Sequence, residues 1–263
     1  MNVHIYKYTC LTNLHVGSGD VNYNIIDNEV ERDPATGYPV IHASGVKGAL
    51  REHFSKILTG ERVDYIFGAP PKNKEAIAAG AYKFLDARFI MRPMRVGNSA
   101  TMASIPVVSI ASLNAYLQML SAFAANPYGI DKIELDDGAF GDAQFLTNCA
   151  QNIMVEGERT GKLPEAAAAQ ILKLKDVVGD TFAVVKEFSK YPLPVVARNY
   201  LVKGERKNLW YEEVVPHGSV FYQMIITPAA EMELPLEAEP IQFGGNATIG
   251  CGFIRIEKLG GAK

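Results

Sequence analysis

His15-Val16-Gly17-Ser18-Gly19-Asp20 opens the stretch HVGSGDVNYNIIDNEVERDPATGYPVIHASGVKGALR, His15 to Arg51, and the rest of the chain is read outward from it. The glycine-flanked turn at Gly17-Ser18-Gly19 leads into a polar segment that carries Asp27. A second turn, Asp33-Pro34-Ala35-Thr36-Gly37, feeds a short apolar strand from Tyr38 to Ile41. Ser44 then stands as the N-cap of a helix on which Lys47 and Arg51 fall one turn apart. The free N–H groups and positive dipole end of a helix N-terminus favour an anion, and two cations on one face reinforce a phosphate there. The same spacing is met by an ordinary strand–turn–helix with two solvated cations.

Composition narrows the classes. The chain has 263 residues, 48% hydrophobic and 21% charged, enough for a sizeable core in one large or two small domains. No apolar run reaches the length of a membrane span, and MNVHIYKYTCLTNL lacks the layout of a signal peptide, so a cytoplasmic protein with no membrane partner is expected. Cys10, Cys149 and Cys251 are scattered and in no metal-ligand spacing, which points to free thiols in a reducing compartment. A net charge of −3 excludes a protein basic all over, but nucleic acid needs only a local basic stripe.

Val3 to Leu14 alternates as a strand and delivers His15 at its end, a position as well suited to a structural hydrogen bond as to catalysis. The helix opened at Ser44 carries an apolar stripe (Leu50, Phe54, Ile57, Leu58) and stops at Gly60; Gly68 to Lys74 is a proline-broken loop. Tyr82 to Met94 reads as a strand bearing Arg88 and Arg92, with Arg95 just after. These three form a second anion stripe or the charges of a half-exposed edge strand. Ile105 to Val108 reads as a strand, Leu113 to Ala124 as a helix, and residues 126–152 as a solvated irregular insertion with an acidic patch at Asp131, Glu134, Asp136, Asp137 and Asp142. A helix from Pro164 to Val178, ended by Gly179, and a shorter one from Phe182 to Ser189 follow.

The last eighty residues return to strands. Leu193 to Val202 and Leu209 to Val215 flank a tip, Lys203-Gly204-Glu205-Arg206-Lys207-Asn208, with three cations. Arg198 lies on the first arm and Trp210 and Tyr211 on the second. A basic hairpin with aromatics near its base can press on a nucleic-acid backbone and wedge between bases; a charged surface hairpin has the same composition. Val220 to Thr227 is a buried strand. Finally Gly244, Gly245, Gly250 and Gly252 sit between two apolar runs, where Gly244-Gly245-Asn246 suits positive φ and no Walker or dinucleotide pattern is present.

Five blocks in register carry a resemblance: HVGSGD, the strand followed by SGVKGALR, Ile66-Phe67-Gly68, LWYEEVVPHGSVF from Leu209 to Phe221, and QFGGNATIGCGFIRI. Together they resemble the RAMP superfamily of CRISPR proteins, its Cas-seven group, and there the backbone subunit of type III-B (Cmr) effector complexes. The resemblance covers both ends of the chain and is weakest between Asn98 and Tyr191. It implies an α+β fold: a ferredoxin-like RRM core, an antiparallel sheet backed by helices, in one domain over residues 1–263. A helical or irregular insertion over about residues 98–191 and a thumb-like hairpin over about residues 196–212 would interrupt it.

The implied job is to stack with further copies of itself and other Cmr subunits along a CRISPR guide RNA, and to cleave the complementary single-stranded target RNA at regular intervals. Cleavage would proceed by attack of the adjacent 2′-hydroxyl, leaving a cyclic phosphate, with a divalent ion, Mg or Mn. By resemblance the catalytic and possible metal-binding residue is Asp27, with His15, Tyr211 and Glu213 as secondary candidates. The RNA-binding candidates are Ser44, Lys47, Arg51, Arg88, Arg92, Arg198, Lys203, Arg206, Gly244, Gly245 and Asn246. The family's terminal loop usually carries an acid and a lysine where this chain has Ala247 and Cys251. An inactive guide-binding scaffold, the type III-A backbone subunit, and a metal-free endonuclease that processes the guide precursor through a histidine are the rival readings.

Overall fold

The computed structural model describes residues 1–17, 25–69, 79–150, 152–203, 205–229 and 233–259, without the side chains of Leu201 and Arg206. Ser18, Gly19, Asp20, Gly204 and most of the loop through Lys74 therefore lie outside the described residues, as does the Arg206 side chain.

The fold is mixed α+β. In chain order the elements are β1 (Asn2–Cys10), β2 (Val40–Ile41), α1 (Ala43–Phe54), α2 (Gly60–Phe67), β3 (Lys83–Phe84), β4 (Ala87–Gly97), β5 (Ser104–Val108) and α3 (Ile110–Ala122). Then come β6 (Phe145–Thr147), β7 (Met154–Val155), β8 (Glu158–Lys162), α4 (Glu165–Ile171), α5 (Lys175–Val178) and β9 (Ala183–Val185). The chain ends with β10 (Val195–Val202), β11 (Glu205–Glu213), β12 (Val220–Thr227), β13 (Ile241–Gln242) and β14 (Phe253–Leu259). Among the described residues no helix is long and apolar enough to cross a membrane.

The central sheet runs β13-β14-β1-β12-β4, antiparallel throughout. Alternation along β1 sends Tyr6, Tyr8 and Cys10 to one face, where they meet Ile254, Ile256 and the α1 residues Val46, Leu50 and Phe54. Ile5 points to the other face, with Tyr222, Met224 and the α3 residues Leu113, Tyr116 and Leu117.

An antiparallel sheet alone does not describe the whole. From β4 the pairing continues β5-β9-β6-β8-β7 and returns to β4, a closed six-stranded ring, with β5–β9 and β6–β8 parallel. The segment expected to be irregular thus contributes β6, and the helix expected over Phe182 to Ser189 is instead β9 followed by a 3-10 turn, Phe188–Lys190. Phe182, Ala183, Val184 and Val185 are all buried, and a short apolar run buried on both sides lacks the periodicity that separates strand from helix. The helix over Pro164 to Val178 is broken by a 3-10 turn, Leu172–Leu174, into α4 and α5.

The start of α1 also differs from the expectation. His42 occupies the N-cap position with no side-chain cap, and the Ala43 N–H is taken by Asp86 Oδ1 at 2.7 Å. Ser44 sits exposed inside the first turn and caps nothing. The carboxylate of a distant residue fills the role assigned to a local hydroxyl, because β2 and β4 pair and bring Asp86 to the helix end.

Candidate functional site

β10 and β11 form a separate two-stranded hairpin. Its register sets Arg198 opposite Trp210 and Ala197 opposite Tyr211, so alternate residues face opposite sides. Tyr211 and Leu209 are exposed on one side, while Glu212 is buried on the other.

The chain after β1 reaches the hairpin foot through reciprocal backbone hydrogen bonds between Leu14 and Val215, 2.9 and 2.8 Å. His15 is thereby buried, its Nδ1–H donating to the Glu213 carbonyl at 2.8 Å and its own carbonyl accepting from Gly245 N–H at 2.9 Å. A carbonyl can only accept, so Nδ1 carries a proton, and Nε2, beside Gly17, has no hydrogen-bond partner among the described residues. Gly244 needs to be glycine: its φ is +71°, and a Cβ there would overlap the His15 carbonyl.

Asp27 lies along the outer edge of β11. Its N–H donates to Tyr211 O at 3.1 Å, and its Oδ2 accepts from Tyr211 N–H at 2.7 Å. The side chain is exposed and its other oxygen has no partner among the described residues. Asn28 extends the contact, its carbonyl accepting from Glu213 N–H at 2.9 Å and its amide donating to Glu212 Oε1 at 3.4 Å.

Glu212 is the residue sequence reading missed. Four donors from four segments converge on it: Arg198 Nε, Trp210 Nε1 at 2.9 Å, Asn246 Nδ2 at 2.9 Å and Asn28 Nδ2. Burial pushes its carboxyl up, but the hydrogen bonds from Trp210 and Arg198 outweigh that and hold it below the ordinary glutamate range. The available signal was the alternation of β11, which puts Glu212 on the side of Trp210 and hence of Arg198. Arg198 also donates to Cys251 Sγ at 3.5 Å.

The other expectations divide. His15, Asp27, Tyr211, Glu213, Arg198, Gly244, Gly245 and Asn246 are brought together at the hairpin foot, but three of them are occupied. Glu213 is buried, its carboxylate shared between Arg32 and the Val30 N–H at 3.1 Å. Arg198 and Asn246 are committed to Glu212. Lys203 lies exposed at the tip, at φ +52°.

On α1, Arg51 is turned to Asp64 Oδ1 at 2.8 Å and the Gly68 carbonyl, whereas Lys47 makes no ion pair among the described residues. The arginines of β4 do not form one stripe. Arg92 is buried, donates to the Tyr191 and Pro192 carbonyls and lies 5.5 Å from the Phe188 ring centre, and burial pushes its guanidinium down to about 10. Arg95 pairs with Glu156 at 2.9 Å, and Arg88 is half-buried beside Tyr222 and Asp33.

Among the described residues no three His, Cys, Asp or Glu side chains gather as metal ligands. Among the described residues of the hairpin foot, Asp27 is the one with a carboxylate oxygen that has no partner, since Glu212 and Glu213 are taken. These residues do not fit a protein-held multidentate ion.

The RAMP superfamily model matches residues 7–255. The chain is similar to the CRISPR system Cmr endoribonuclease Cmr4 of Pyrococcus furiosus, 26% identical over 290 aligned positions covering 97% of this chain and 95% of that protein. Its fold is similar to a chain in the type III-B Cmr-beta complex bound to cognate target RNA, with a TM-score of 0.73 at 18% identity over 98% and 97% of the two chains. It is also similar to oligomeric Cmr4 from Pyrococcus furiosus, with a TM-score of 0.71 at 20% identity over 98% of each chain. A family model that spans all but the first six and last eight residues settles the matter of descent: this chain belongs to the RAMP superfamily.

Proposed function

We propose that this protein is the repeated backbone subunit of a type III-B RNA-guided effector complex, acting in the cytoplasm, and that it cleaves target RNA with Asp27. Likeness to Cmr4 and to the Cmr-beta subunit supports the assembly role. The observation that carries the chemistry is an exposed carboxylate locked by Tyr211 N–H at the foot of a hairpin, with one oxygen free. In the ferredoxin-like reading, β14-β1-β12-β4 is the core sheet, α1 its first crossover, and the β10–β11 hairpin the thumb that holds the guide–target duplex.

The free oxygen of Asp27 accepts the proton of a target 2′-hydroxyl while the 2′-oxygen bonds to the adjacent phosphorus. The bond to the 5′-oxygen breaks, and that oxygen takes a proton from water, leaving a cyclic phosphate and a 5′-hydroxyl. Positioning of the RNA backbone in line supplies much of the rate. His15 is too enclosed to serve as the base and instead fixes the glycine loop against the hairpin. A divalent ion bound at this foot would have Asp27 as its protein ligand and would supply charge stabilisation at the reacting phosphate.

The same hydrogen bond would also suit an aspartate with a purely structural role in an inactive scaffold. Asp27→Asn separates the two, because an amide oxygen still accepts from Tyr211 N–H but takes no proton. Complexes carrying Asp27→Asn should assemble and bind matched target as wild type does, with cuts slowed at least a hundredfold, the lower end for loss of a general base. Cleavage near the wild-type rate refutes the catalytic assignment.

A further inference from the structure

Among the described residues, one face of the central sheet packs against α1 and the other is covered by helices over part of its length. Where α3 to α5 pack on the other, the cover extends over Ile5 and Leu259 and ends at Lys7, whose Nζ donates to the Asp176 carbonyl at 2.9 Å. Beyond Lys7 the same face carries Thr9 on β1 and, on β14, Arg255 opposite it and Phe253 two residues before. Ile254 and Ile256, between and beside them, point to the covered face.

Phe253 is 37% exposed, yet its backbone is held firmly: the N–H donates to Thr12 Oγ1 at 3.0 Å and the carbonyl accepts from Leu11 N–H at 2.8 Å. The ring is thus presented on a rigid strand. Glu257 on this face is neutralised by Lys7 at 3.0 Å, which leaves Arg255, exposed and without an ion pair among the described residues, as the unbalanced charge. Just before Phe253 in the chain lies the glycine loop, with Ile249 56% exposed, and that loop hands Asn246 to Glu212 at the candidate site.

We propose that Phe253 and Arg255 form a platform for single-stranded RNA, the ring stacking one base and the guanidinium holding an adjoining phosphate. A lone ring beside an unbalanced cation suits a base with its phosphate better than an apolar protein surface, and stacking on it is indifferent to sequence because every base has a π face. This assignment rests on the RNA-binding reading above.

The test measures affinity of the full-length protein for a labelled single-stranded RNA and for an abasic strand of equal length. Phe253→Ala, and Phe253→Leu as an apolar variant that keeps the surface covered, should weaken RNA binding about tenfold and leave the abasic strand unchanged. Phe253→Tyr should restore it. Arg255→Ala should weaken both strands and lower the salt slope by about 0.7, the value of one phosphate on a single strand. The platform is overturned if both Phe253 variants bind RNA as wild type does, or lose equally on the abasic strand. It is also overturned if they change only the oligomeric state in sedimentation, which would make the face a contact with a second copy. Failure of the wild-type protein to bind either strand would instead refute the RNA reading itself, and the platform with it.

Discussion

At the scale of single residues, Glu212 joins the hairpin, the Asp27–Asn28 segment and the glycine loop. Its carboxyl is held below the ordinary glutamate value, so the stability it contributes is present above about pH 4.3 and is lost as pH falls through the lower folded value. Glu212→Gln should therefore lower the urea midpoint at pH 7, and the gap from wild type should close as the pH is lowered through the folded value. Trp210, the single tryptophan and a Glu212 partner, reports the transition by fluorescence. Gly244→Ala should destabilise more than an exposed glycine change, since it meets both positive φ and the His15 carbonyl.

At the scale of elements, α1 separates two cations that look equivalent in sequence. Lys47→Ala should weaken RNA binding for all sequences alike and flatten its salt dependence while leaving thermal unfolding unchanged. Arg51→Ala should do the reverse, because its guanidinium ties α1 to α2 through Asp64 and Gly68. A loss of about 1 kcal/mol of unfolding free energy is the scale for a half-exposed ion pair with an added backbone hydrogen bond. Asp86→Ala removes the cap of α1 from outside the helix and should cost about 1 kcal/mol, as a lost N-cap does. Parallel denaturation and RNA titrations of the three variants check the division.

At the scale of the whole molecule, the six-stranded ring and the central sheet share β4, so the two hydrophobic clusters are built on common strands. Phe145 on β6 is fully buried and packs against Tyr191 with ring centres 4.8 Å apart, just ahead of the segment that leads into the hairpin. Phe145→Ala should cost about 3–5 kcal/mol, the range for an aromatic core truncation. The denaturant midpoint measures it, and a loss below about 1 kcal/mol would mean that the ring is not part of the cooperative core.

What the sequence determined by itself is local. Alternation found β1, and runs rich in apolar and β-branched residues found β4, β5, the two hairpin arms and β12, because both signals are written into neighbouring residues. The glycine positions marked the loop that closes on His15, because positive φ has few alternatives to glycine. What only the tertiary structure decided is where the charges go. Arg51, Arg92 and Arg198 read as RNA-binding cations until Asp64, the Tyr191 carbonyl and Glu212 are brought beside them from distant segments. Ser44 read as a cap until strand pairing delivered Asp86. A side chain's charge is a property of its residue, but its partner is a property of the fold, since burying an unpaired charge is too costly for the chain to leave it alone.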